Sequence, residues 1–245
     1  MSKENSENSD LFNLEEKIVC LTGGAGLLGS TFADVIMRYG GRVCVIDSDI
    51  DKLSSMQKSF EHWGSQITFE YADVTDEKSV RAALSEFREK IGNPNCLINN
   101  AAHNPVVTTG RQKELNHLAD FDVSRWNDEL GVGLTGSFIC SKVFGDFFYS
   151  KEGGVIINIA SDLGVMAPNH SIYNVDGTTF EKSWVKPVTY SVVKFGLIGL
   201  TKYLSTYWPN GIVRSNALAP GGVEVTQSEH FLKSIKTLIP MSRMA

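Results

Sequence analysis

The chain is poor in cysteine, in basic clusters and in long apolar runs, and each shortage excludes something. Its four cysteines, Cys20, Cys44, Cys96 and Cys140, are far apart and sit in apolar segments. That pattern fits reduced core residues, not a disulfide frame or a zinc site. The five histidines, His62, His103, His117, His170 and His230, show no metal-ligand spacing, so no metal is expected. Of these, only His103 follows a turn that could face substrate. Net charge is −5 with no basic block, which argues against nucleic acid as partner. No stretch is apolar and long enough to span a membrane, and no signal-peptide pattern opens the sequence. A cytoplasmic location is therefore expected. No repeat of fixed period is present.

What remains suits one large domain of 245 residues, with 42% hydrophobic content to build a core. Residues 1–14 read as a loose polar tail and 15–245 as a single domain. The most informative stretch is Lys17 to Asp47. An apolar run, Ile18 to Leu21, leads into Gly23-Gly24-Ala25-Gly26-Leu27-Leu28-Gly29. An amphipathic segment follows to Tyr39, then a second apolar run, Val43 to Ile46, ending at Asp47. This is strand, tight turn, helix, strand, acid, and Gly24, Gly26 and Gly29 satisfy G-x-G-x-x-G. The glycines let the backbone approach a pyrophosphate, and the helix start offers free N–H groups and a positive dipole end. Asp47 lies 18 residues beyond Gly29, where a carboxylate can bind an adenosine ribose.

The rest of the chain alternates in the same way. Helical spacing runs over 50–63, 76–91, 124–149 and 188–208, and strands over 67–71, 96–99, 155–159 and 212–218. Gly131, Gly133 and Gly136 interrupt the long third helix, where they allow close packing. Residues 103–121 and 162–187 read as long polar loops, of the kind that often carry function. Alternation of this kind predicts an α/β fold, a doubly wound parallel sheet with helices on both faces. Ligands then bind beyond the carboxyl ends of the strands, where the glycine turn, Asp47, Asn99–Ala102, Ser161 and Pro220–Gly222 would gather.

Tyr190 and Lys194 form Y-x-x-x-K at the start of a predicted helix, so phenol and ammonium share a face. A nearby cation favours phenolate, which would let Tyr190 exchange a proton with a hydroxyl or carbonyl. Ser161, just past a strand, could hydrogen-bond the same oxygen.

With these motifs in order, the chain resembles the short-chain dehydrogenase/reductase family, from Lys17 to its end. The carrying residues are Thr22 to Gly29, Asp47, Asp73-Val74, Asn99-Asn100-Ala101-Ala102, Ser161, Tyr190 with Lys194, and Pro220-Gly221. The resemblance implies a Rossmann fold and an oxidoreductase acting on CH–OH. It implies Ser161, Tyr190 and Lys194 as catalytic residues. Tyr190 would be the acid/base, Lys194 would lower its pKa and bind the nicotinamide ribose, and Ser161 would orient the substrate oxygen. The cofactor would meet Thr22, Gly23, Gly26, Leu27, Leu28 and Gly29 at the turn. Asp73 and Val74 would flank the adenine, and Asn100, Ala101 and Ala102 would line the floor. Pro220, Gly221 and Val223 would approach the nicotinamide. Asp47 repels a 2′-phosphate and no arginine follows it within 48–51, so NAD is expected over NADP. The subgroup most similar is that of bacterial oxidoreductases linked to flagellin glycosylation and nonulosonate sugars. A sugar-like small-molecule substrate and a homo-oligomer, dimer or tetramer, follow as expectations.

Four departures from the family pattern stand out. Leu27 occupies a usual glycine position, and Gly26 gives the spacing T-G-x-x-G-x-x-G of the extended members. That spacing keeps open an epimerase or dehydratase with tightly bound NAD. Gly133 stands where the family carries an asparagine that holds a proton-relay water, which keeps open an inactive NAD-binding protein. The interval from Ser161 to Tyr190 is longer than usual. Its excess, Pro168–Lys186, either caps the substrate site or makes a surface excursion. Family members also continue through another helix and strand beyond Ala245, so a sheet lacking its last strand is expected.

Overall fold

The computed structural model describes residues 12–103, 116–173 and 179–245. Six strands form one parallel sheet in the order β3-β2-β1-β4-β5-β6. They are β1 (Ile18–Thr22), β2 (Arg42–Asp47), β3 (Ile67–Tyr71), β4 (Cys96–Asn99), β5 (Gly154–Ile159) and β6 (Val213–Leu218). Among the described residues seven α-helices flank the sheet: α1 (Leu27–Arg38), α2 (Ile50–Ser59), α3 (Glu77–Lys90), α4 (Val123–Leu130), α5 (Gly136–Ser150), α6 (Val188–Tyr207) and α7 (Glu229–Lys236). No helix of these is long and apolar enough to cross a membrane.

Each central strand is an apolar run because helices cover both of its faces. β1 is buried along its whole length, and it pairs with β2 on one side and β4 on the other. On one face Phe87 of α3, Phe144 and Phe148 of α5 and Leu204 of α6 pack over Cys20, Cys44 and Leu97. On the other, Ala33, Ile36 and Met37 of α1 and Leu53 and Met56 of α2 pack over Leu21, Val43 and Val45. Each fully buried phenylalanine or leucine stabilises the fold by about 1.5–3 kcal/mol. The four thiols are free, and burial pushes those of Cys96 and Cys140 up to about 12. Cys20, Cys44 and Cys140 are core residues, and half-buried Cys96 packs against the core.

Three boundaries differ from the sequence reading. The helix expected over 50–63 stops at Ser59, and a short 3₁₀ segment follows with a kink at Gly64, φ +54°. The helix expected over 124–149 is α4, a π-helical turn at Gly131–Thr135, and α5. A β-carbon on Gly133 would lie 2.7 Å from Val193 Cγ1, and one on Gly136 2.7 Å from Val74 Cγ2. Those two glycines serve close packing; Gly131 is almost open, with Thr75 4.0 Å away. In the expected loop 103–121, residues 104–115 lie outside the described residues, and Leu118–Asp120 forms a 3₁₀ turn.

At the N-terminal side, residues 1–11 of the expected tail lie outside the described residues, and Leu14 N donates to Tyr39 O at 2.8 Å. Among the described residues β6 is the last strand of the sheet on the side of β5. The strand order reverses between β1 and β4, which opens a crevice at their carboxyl ends.

Candidate active site

A groove of about 940 Å³ fills that crevice. One end is built by the turn after β1. Gly23 adopts φ +59°, and a β-carbon there would stand 2.8 Å from Ala101 Cα. Gly29 has no room for one either, with Gly23 O only 2.4 Å from the ideal position. Backbone thus fills the space a side chain would take, and α1 starts hard against the turn. No side chain caps α1 and its first turn carries no acid, so its first N–H groups remain available to an anion. Asp47 braces this turn: one oxygen accepts from Ala25 N and the other from Asp49 N, both at 3.1 Å.

Gly23, Gly26, Leu27, Leu28, Asp47, Asp73, Val74 and Asn100–Ala102 all line the groove. Thr22 and Gly29 are buried behind it. Thr22 Oγ1 accepts from Asn100 N at 3.0 Å and Ala101 N at 3.1 Å, while Asn100 Nδ2 donates to the carbonyls of Thr22 and Gly23. The turns after β1 and β4 are therefore one rigid floor. Leu27 is exposed into the groove where a glycine would leave it bare. His103 lines it as well.

The other end gathers Ser161, Tyr190, Lys194, Pro220, Gly221 and Val223. Tyr190 Oη donates to Ser161 Oγ at 3.3 Å. Ser161 Oγ donates to Asp162 Oδ1 at 2.7 Å, and Asp162 N donates to Pro220 O at 3.1 Å. Lys194 is buried and its ammonium donates to Ile159 O at 2.7 Å, 5.8 Å from the Tyr190 ring centroid. Burial and the neighbouring Lys186 hold Lys194 down at about 8. The sequence argument that Lys194 depresses the Tyr190 phenol differs from this geometry. Burial pushes that phenol above its ordinary value, the Ser161 bond opposes the rise, and Asp162 adds to it. The Lys194 ammonium is held by the Ile159 carbonyl.

The long interval is not a plain surface excursion. Pro168, Asn169, Ile172, Tyr173 and Lys186 all line the groove, and residues 174–178 lie outside the described residues. Tyr173 stacks on Phe231 of α7, with ring centroids 5.1 Å apart, and meets Trp184 at 4.1 Å. The Lys186 ammonium lies 3.9 Å from the Tyr190 ring centroid. Burial pulls Lys186 below its usual range, and Asp162 opposes that.

The sequence reading missed Lys186, Asp162 and Phe231. A signal for the first existed: Lys186, Tyr190 and Lys194 are spaced by four. It also missed two buried polar chains behind the site. Asn99 Nδ2 donates to Asn158 Oδ1 and Ser141 Oγ, and Asn158 Nδ2 donates to Thr201 Oγ1, tying β4, β5, α5 and α6. Glu129 accepts from Arg125 Nε at 2.6 Å and from the Thr189 hydroxyl, which fixes the residue before Tyr190. Where an asparagine was sought at Gly133, Val193 takes the space.

A family model described as short chain dehydrogenase matches residues 17–234, so the chain belongs to that family of oxidoreductases, which bind nicotinamide cofactors. Among similar proteins is one named D-threitol dehydrogenase from Mycolicibacterium smegmatis, 27% identical, covering 96% of this chain and 82% of that protein. Another is named post-translational flagellin modification protein A, from Campylobacter coli, 27% identical over 91% of this chain and 83% of its own. The crystal structure of a short chain dehydrogenase from Leptospira borgpetersenii with bound NAD+ superposes with a TM-score of 0.78. It is 27% identical and covers 97% of this chain and 83% of that one.

Proposed function

We propose that residues 15–245 are one catalytic domain, an NAD(H)-dependent oxidoreductase that interconverts a secondary alcohol and a ketone on a sugar-like substrate. The observation that carries this is the shared groove: the glycine turn and Asp47 stand at one end, and Tyr190, Ser161 and Lys194 at the other. The cradle suits a dinucleotide, because backbone occupies the space that β-carbons would fill and α1 presents uncapped N–H groups. Gly23, Gly26, Leu27 and Leu28 would hold the pyrophosphate, with Gly29 and Thr22 as its support. Asp47 would bind the adenosine ribose, Asp73 and Val74 the adenine, and Asn100 to Ala102 the floor. Pro220, Gly221 and Val223 would lie by the nicotinamide, and Lys194 by its ribose.

When bound, the nicotinamide supplies or accepts the hydride. In oxidation Tyr190 would act as the phenolate, having first lost its proton to solvent, and would take the carbinol O–H proton. In reduction Tyr190 gives its proton to the ketone oxygen. Ser161 shares that oxygen and holds it against Tyr190. The raised Tyr190 pKa keeps the phenol protonated near neutrality, which suits it as a proton donor.

Asp47 supports NAD over NADP, since its charge repels a 2′-phosphate. Asn169 and Gln227 in the wall support a hydroxylated substrate, and the M. smegmatis relative is named for a sugar alcohol. Exposed Phe138, Phe195 and Tyr203 on α5 and α6 suit pairing between copies as a dimer or tetramer. The free thiols suit the reducing cytoplasm. The test is Tyr190→Phe in an NAD(H)-coupled screen over polyols, sugars and sugar acids. Turnover should vanish while NADH fluorescence titration is unchanged; full activity in the variant would refute the assignment.

A further inference from the structure

A cation held in a half-buried groove without an anion is costly, so its presence there points to a ligand that brings one. Lys186 is such a group. It ends the segment 168–186 and lines the groove beside Tyr190. Among the described residues no carboxylate lies within ion-pair distance of its ammonium, which rests on the face of the Tyr190 ring. Asp162 is the acid that acts on it, but Asp162 Oδ1 already accepts from Ser161 Oγ and Leu163 N, both at 2.7 Å. Lys194 adds a second positive charge nearby, spent on Ile159 O. The Lys186 ammonium therefore has no hydrogen bond or ion pair to a carboxylate among the described residues, while Asp162 already uses Oδ1 elsewhere. Tyr173 and Phe231 form an aromatic wall on the same side, which lowers the local dielectric and strengthens a charge pair.

We propose that Lys186 is the anion-binding residue of the substrate pocket and that the substrate carries a carboxylate or phosphate close to the carbinol that reacts. This rests on the oxidoreductase reading above. It narrows a sugar-like substrate to an acidic one, a sugar acid or a sugar phosphate. The wall polar groups would take the hydroxyls and Lys186 the charge.

The test is calorimetric titration of the NADH-saturated protein with gluconate, glucose 6-phosphate and neutral sorbitol, repeated without NADH. At least one anion should bind about tenfold or more tightly than sorbitol. Which of the two it is tells carboxylate from phosphate. Lys186→Met should remove that preference and leave NADH affinity intact, and Lys186→Arg should keep it. Equal affinity for anions and sorbitol, or a preference that survives in Lys186→Met, would overturn the proposal. Failure of NADH to bind would sink the oxidoreductase reading instead, and the anion preference would still be read in the titration without it.

Discussion

The Tyr190 hydroxyl reaches Ser161 Oγ across 3.3 Å, although 29 residues separate the two in the chain. The contact exists because β5 ends at Ile159, two residues before Ser161, and α6 starts at Val188, two residues before Tyr190. It also sets the direction of a proton-transfer experiment. The Ser161 bond lowers the phenol's pKa against burial and Asp162. Ser161→Ala should therefore move the rising limb of alcohol oxidation to higher pH. It should also cut kcat/KM by about a hundredfold or more, the range of a lost oxyanion-type donor. A pH profile of kcat/KM for wild type and variant checks both.

Lys194 ties function to a stability cost. Its folded value of about 8 lies below the ordinary lysine value of 10.5. Between those values the unfolded chain binds more protons, so native stability rises with pH across that window. The cost is fully present below about 8 and is relieved as pH rises toward 10.5. Lys194→Met should thus stabilise the cofactor-free protein near neutral pH by up to about 3 kcal/mol. The advantage should shrink at alkaline pH, and turnover should be lost. Thermal melts across pH measure it; an advantage that grows with pH would contradict the linkage.

Asp47 should select the cofactor. Asp47→Asn keeps an acceptor for Ala25 N but removes the charge. NADH should bind the wild type more tightly than NADPH, and the variant should lose about tenfold or more of that preference. Fluorescence titration with both nucleotides decides it, and tighter NADPH binding by the wild type would sink the NAD assignment.

Gly133 should not accept the family's asparagine. The added β-carbon would sit 2.7 Å from Val193 Cγ1, too close without movement of α6. Gly133→Asn should destabilise by about 1–3 kcal/mol, which lowers Tm by roughly 3–10 °C. Val193→Ala in the same chain should recover part of that loss. A double-mutant cycle on Tm reads the coupling, and additive losses would show that Val193 is not the obstacle.

The sequence by itself determined whatever depends on neighbours along the chain. Glycines 23 to 29 between two apolar runs specify a tight turn, and the runs themselves specify buried parallel strands. Asp47 at the second strand's end and Tyr190 four residues from Lys194 were legible for the same reason: spacing and side-chain type are local. The tertiary structure decided what depends on contacts between distant segments. It put Val193 into the space at Gly133, brought Pro168, Asn169, Ile172 and Tyr173 to the groove, and set the Lys186 ammonium over the Tyr190 ring. It also buried the Tyr190 phenol, which pushes its pKa up, and tied the Lys194 ammonium to Ile159 O. Desolvation and charge pairing are set by packing across the fold, and no spacing along the chain encodes them.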